Sequence, residues 1–161
     1  MENSLNILHY CIYKVHYNLH LLFNKINPFR LIYKLPFQKR RYEKLGIDIN
    51  EEMNRAFSDR KYGLSTMVSG GAIVGILFIL IMAVALLIIK VANSDIRLTT
   101  IHFIAFGLLS AAACYFLVLK NDKYLAYFEI YDRWSRSEKI KYGGISFIFT
   151  VAVVLLFILS L

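Results

Sequence analysis

Proline and cysteine are almost missing from this chain, two of each in 161 residues. So few prolines exclude a proline-rich linker or ligand segment. Cys11 and Cys114 alone exclude a disulfide-stapled scaffold. Charge is missing more selectively. Three segments, 63–89, 98–119 and 142–161, contain no Asp, Glu, Lys or Arg. Each reaches the ~20 residues an α-helix needs to cross a hydrocarbon core about 30 Å thick. Recognisable catalytic signatures are lacking too: there is no Walker A loop, Gly-x-Ser-x-Gly, His-Glu-x-x-His or metal-binding cysteine cluster. An enzyme is therefore not expected, nor is a metal or cofactor.

What is present reads as an all-α integral membrane protein with three transmembrane helices and an N-terminal cytoplasmic helical extension. Residues 1–62 form a basic, heptad-patterned region. Residues 63–161 form the membrane domain, with spans at 65–89, 98–119 and 142–161 and a cytoplasmic connector at 120–141. No continuous apolar stretch opens the chain, so no cleavable signal peptide is expected. Residues 1–62 hold eleven Lys/Arg against six Asp/Glu, and 120–142 hold six against four, whereas the loop between the first two spans carries only Asp95 and Arg97, with Lys90 at its edge. Positive loops stay in the cytoplasm. The expected topology is therefore N-terminus inside and C-terminus outside, in a bacterial inner membrane. Cys11 and Cys114 then fall in different environments and are read as free thiols.

The first segment is periodic. Leu5, Leu8, Ile12, Val15, Leu19, Leu22, Ile26 and Phe29 recur at alternating intervals of three and four, an a/d seam over more than three heptads. Asn27-Pro28 should end that helix near Ile26. Such a seam serves oligomer packing or partner docking; an amphipathic helix lying on a bilayer has the same period. The next stretch interleaves aromatics with Arg30, Lys34, Lys39, Arg40 and Arg41, a pattern suited to anionic lipid headgroups. Binding to nucleic acid, which the same residue types can support, is not expected beside a membrane span. Gly46 should break the helix, and Asn50 can cap a short one that follows. In the connector, Tyr124, Phe128, Tyr131 and Trp134 recur at helical spacing and suit a membrane interface. Gly143-Gly144 suggests a flexible re-entry into the third span.

Inside the spans, Gly71 and Gly75 form a GxxxG that lets helices approach closely. No carboxylate lies within them, which argues against proton-coupled transport. Ser65, Ser69, Ser146 and Thr150 cluster in the cytoplasmic halves and are candidate pore-lining residues if several copies enclose a path, with an apolar outer part that closes by dewetting. Equally, these hydroxyls can bond to their own helices. His9, His16 and His20 share one helix face, but no carboxylate or cysteine joins them to complete a metal site.

One spacing remains. Arg97-Leu-Thr-Thr-Ile-His102 fits the Arg-x4-His pattern of HEPN ribonucleases. A small, basic, multi-span chain with that pair resembles the membrane accessory proteins of type VI-B CRISPR loci. The resemblance implies antiviral defence through membrane permeabilisation, with an RNA-guided effector as a possible cytoplasmic partner. Three expectations follow. The first is a non-enzymatic, homo-oligomeric inner-membrane protein forming a pore or gated assembly in contact with membrane lipids. The second is a scaffold that recruits a cytoplasmic protein through the N-terminal helix. The third is a membrane-tethered HEPN-like ribonuclease using Arg97 and His102.

Overall fold

The computed structural model describes residues 1–26, 32, 35–93 and 96–161. It is helical, with no strand among the described residues. Among the described residues seven α-helices follow in order: α1 (Glu2–Ile26), α2 (Pro36–Leu45), α3 (Ile49–Ser58), α4 (Leu64–Val91), α5 (Thr100–Cys114), α6 (Lys123–Asp132) and α7 (Arg136–Ser160). Among the described residues three helical stretches are long and apolar enough to cross a membrane: Leu64–Val91, Thr100–Asp132 and Arg136–Ser160. Most of their apolar surface is uncovered by the rest of the chain. Ile101, Phe147 and Leu159 are each more than 70% exposed.

The chain divides into two compact units, Met1–Cys11 with Gly70–Leu161, and Ile12–Ser69. This line differs from the expected one between residues 62 and 63. The first eleven residues are grouped with the apolar helices.

Local chemistry explains the helix ends. Pro36 occupies the first turn of α2, where its missing N–H costs nothing. Gly46 closes that helix at φ 64°, with its N–H on Glu43 O and the Ile47 N–H on Tyr42 O. Asn50 lies inside α3. The helix begins one residue before it, and Asp48 Oδ1 accepts the Glu51 N–H at 3.3 Å. The helix ends at Ser58, just before the Arg60-Lys61 pair.

Between α3 and α4, Asp59 Oδ1 accepts the N–H groups of Lys61 at 2.7 Å and Tyr62 at 2.8 Å. The turn returns so tightly that the Gly63 N–H reaches Asp59 O, and a Cβ at Gly63 would collide with that carbonyl.

The third apolar helix starts earlier than its charge-free run. Ser135 and Glu138 form a capping box: Ser135 Oγ accepts the Glu138 N–H at 3.3 Å and Glu138 Oε2 accepts the Ser135 N–H at 2.8 Å. Helix α7 then runs through Gly143-Gly144 without a break, so these glycines are not a flexible re-entry.

The expected connector begins instead with a distortion. A single π-helical turn, Tyr115–Leu119, follows α5, and Asn121 (φ 59°) and Asp122 (φ 54°) take left-handed conformations before α6. Asn and Asp tolerate that region better than other non-glycine residues.

Candidate functional site

Helix α1 carries two faces of opposite character, and it buries the polar and aromatic one. At 100° per residue, Asn6, His9, Tyr13, His16, His20 and Asn24 follow one line along the helix. Asn6 and His9 are fully buried. Asn6 Nδ2 donates to Glu2 O at 2.9 Å and to Leu117 O at 3.2 Å. The second acceptor lies in the π-helical turn, where the regular α-helical ladder is disturbed.

The His9 ring packs against Tyr124 and Phe128, with centroids 5.3 and 5.1 Å away. Tyr10 lies edge-on to Phe128, Tyr131 and Trp134, and its hydroxyl donates to Asp132 Oδ1 at 2.8 Å. Tyr131 Oη donates to Asn3 Oδ1 at 2.6 Å, and Lys123 pairs with Glu2 at 3.1 Å. The start of α1 is thus held on α6 by aromatic edges and polar contacts together. Tyr124 and Tyr131, expected at a membrane interface, are buried in this contact together with Phe128.

In the second unit the same line of α1 meets α3. Tyr13 Oη donates to Ser58 O at 2.8 Å. The His20 ring stacks on Phe57 with centroids 3.6 Å apart, and His16 stacks on the same ring at 6.0 Å. His16 Nδ1 is hydrogen-bonded to Ser65 Oγ at 3.0 Å. The three histidines therefore meet aromatic and hydroxyl neighbours. Among the described residues, no group of three His, Cys, Asp or Glu side chains could hold a metal ion.

The heptad seam is split by this arrangement. Leu5 and Leu8 are buried in the first unit, where they help to pack the chain itself and are not presented to a second one. Ile12 is half-buried. Val15, Leu19, Leu22 and Ile26 are exposed along the side of α1 opposite Tyr13, His20 and Asn24, with Phe23 exposed at their edge. Phe29, the last seam position, lies outside the described residues, as do Asn27-Pro28, Arg30 and Lys34.

The expected pore-lining hydroxyls are turned inward. Ser65, Ser69 and Ser146 are buried within the chain. Ser69 Oγ donates to Thr66 O, and Thr150 Oγ1, half-buried, donates to Ser146 O at 2.9 Å. A hydroxyl without a neighbouring chain satisfies itself most easily on the carbonyl one turn back. Gly71 is exposed and Gly75 half-buried, and a Cβ at either would meet nothing within 4 Å. Among the described residues, the GxxxG therefore makes no close helix approach.

His102 has a local structural task. Its Nδ1 accepts the Thr99 N–H at 3.1 Å and lies 2.8 Å from Thr99 Oγ1, which fastens the first turn of α5. Arg97 is exposed. Lys39 pairs with Glu43 at 3.7 Å, while Arg40 and Arg41 are exposed on α2. Burial pushes the Cys11 thiol above its ordinary range, opposed by a hydrogen bond with Ser146, so Cys11 is a poor source of thiolate.

Compared with protein-family models, curated proteins and solved structures, the chain matches none.

The inward-facing stripe of α1 was open to sequence reasoning, because Asn6, His9, Tyr13, His16, His20 and Asn24 have helical spacing of their own. The Ser135-x-x-Glu138 box was open as well. The Asn6 contact with Leu117 left no such trace, since it depends on a distortion over one hundred residues away.

Proposed function

We propose that the protein is a non-enzymatic integral membrane protein that self-associates through the exposed side of α1. One observation carries this reading: α1 turns its Asn, His and Tyr side chains inward and leaves Val15, Leu19, Leu22 and Ile26 uncovered. Burying Leu or Ile side chains is worth about 1.5–3 kcal/mol each relative to exposure. A helix that forgoes this within its own chain is suited to burying them elsewhere. The 4-3-4 spacing of these four residues matches a partner helix of the same kind, as in a coiled-coil seam. The apolar, largely uncovered surfaces of the three long helices support a bilayer as their surroundings.

The task of His102 at the start of α5 supports the non-enzymatic reading over the HEPN-like one. The resemblance to type VI-B CRISPR accessory proteins would place such an assembly in antiviral defence. Any aqueous path would require several copies, and its lining would come from surfaces other than Ser65, Ser69 and Ser146. Recruitment of a cytoplasmic partner by the same side of α1 is the competing use of that surface.

The test is a Leu19→Lys, Leu22→Lys double variant, purified in detergent beside the parent chain. The parent should run as an oligomer and the variant as a monomer with unchanged helix content, by light scattering and circular dichroism. A parent that is monomeric at every concentration, or a variant that keeps the parent's size, would sink the self-association reading. Dye release from liposomes containing the parent, and its loss in the variant, would extend the reading to a pore.

A further inference from the structure

Helix α2 poses a separate problem. It has ten residues and none of them is buried. Isolated helices shorter than ~12–15 residues are marginal in water even for favourable sequences. This one also begins without a side-chain cap. Phe37 is 73% exposed and Leu45 60% exposed.

The helical positions sort these residues. Phe37, Arg41 and Leu45 follow one another at intervals of four, with Arg40 and Lys44 on the adjoining flank. Lys39 and Glu43 lie on the far side and pair with each other. Arg40, Arg41 and Lys44 make no ion pair or hydrogen bond among the described residues. One side of α2 therefore combines two exposed apolar side chains with three uncompensated cations.

We propose that this side of α2 is a binding surface for anionic membrane lipid. Phe37 and Leu45 enter the boundary between headgroups and acyl chains, and Arg40, Arg41 and Lys44 engage lipid phosphates. An amphipathic helix that lies in such an interface gains the apolar surroundings that water denies it, and acidic lipid adds electrostatic attraction. The proposal rests on the membrane reading above. If α4 enters a bilayer, α2 cannot lie far from it. Eighteen residues separate Leu45 from Leu64, and ten of these are the helix α3, so the tether spans about 40 Å at most. That short reach makes lipid a better-matched occupant than RNA, which the same residue types could otherwise bind.

The experiment uses the full chain in phosphatidylcholine bilayers with and without phosphatidylglycerol. Phe37→Trp adds an indole whose quenching by brominated acyl chains is measured above the Trp134 background of the parent chain. Extra quenching is expected in the phosphatidylglycerol bilayers. It should fall to the background at high salt and in an Arg40→Glu, Arg41→Glu, Lys44→Glu variant. No extra quenching, or extra quenching equal in both bilayers and indifferent to the triple substitution, would overturn the proposal. So would an RNA mobility shift by the chain in phosphatidylcholine bilayers that the triple substitution abolishes, with no effect of phosphatidylglycerol on quenching. An alkaline carbonate wash keeps the two readings apart. Loss of the parent chain from membranes defeats the membrane reading itself, whereas retention without quenching defeats only the role of α2.

Discussion

Asp59 illustrates how much a single exposed carboxylate can organise. Its side chain gathers the N–H groups of Lys61 and Tyr62, while its carbonyl takes the Gly63 N–H and the Thr66 hydroxyl. The two side-chain bonds hold its pKa below the ordinary carboxylate range, the Tyr62 bond being the larger cause. A lowered folded-state pKa means that the stabilisation is present above the unfolded value and is lost as pH falls through the folded one. Backbone amide exchange at Lys61 and Tyr62 should therefore become less protected on strong acidification, and an Asp59→Ala variant should lack that pH response. Equal response in both would show that the turn does not depend on the carboxylate. Gly63 belongs to the same device, because any larger residue would displace the carbonyl that closes it. Asn6 and Tyr10 act differently. They spend polar groups on distant partners, Leu117 O and Asp132, and so specify one seating for the start of α1.

At the scale of elements, the Ser135–Glu138 box makes a direct prediction. Ser135→Ala should lower the stability of α7's start by about 1 kcal/mol, and Ser135→Gly by only a few tenths, since glycine is tolerated at that position. Thermal unfolding in detergent would measure this, and an unchanged midpoint for the alanine variant would remove the cap from the account. This start also shows what the sequence made legible. Long charge-free runs located the three apolar helices, because membrane crossing is governed by charge. Helix formation is governed by hydrogen bonding, so α7 begins at Arg136, several residues before its charges end. The end of α1 at Ile26 and the stop at Gly46 were readable from Asn27-Pro28 and from a glycine's freedom to adopt positive φ. The polar stripe of α1 was readable by its spacing, but that this side is the buried one was not. A 3.5-residue period reveals that a helix has two sides, but the burial of one depends on what faces it. Here the neighbours are Tyr124, Phe128 and Phe57 with polar groups beside them, which suit Asn, His and Tyr better than Leu. The serines of the long helices follow the same logic. Their positions were visible, whereas their inward direction required neighbours to be known.

For the whole molecule, the distribution of cations predicts an orientation that can be checked without any functional assay. With Cys11 and Cys114 replaced by serine and alanine, single cysteines at Glu51 and Arg97 should react on opposite faces of a sealed membrane. In right-side-out vesicles a membrane-impermeant maleimide should label Arg97→Cys directly and Glu51→Cys only after permeabilisation. Labelling of both without permeabilisation would refute the three-span topology, and the reverse order would invert it. The two sides of α1 carry one more consequence. The contacts that fold the chain use Tyr10, Tyr13 and His20, and the proposed contacts between copies use Val15, Leu19 and Leu22. A folded single copy is then a complete species, not a fragment awaiting its neighbours. Assembly from such copies would obey mass action within the plane of the membrane, so that the abundance of the protein could itself decide when an assembly forms.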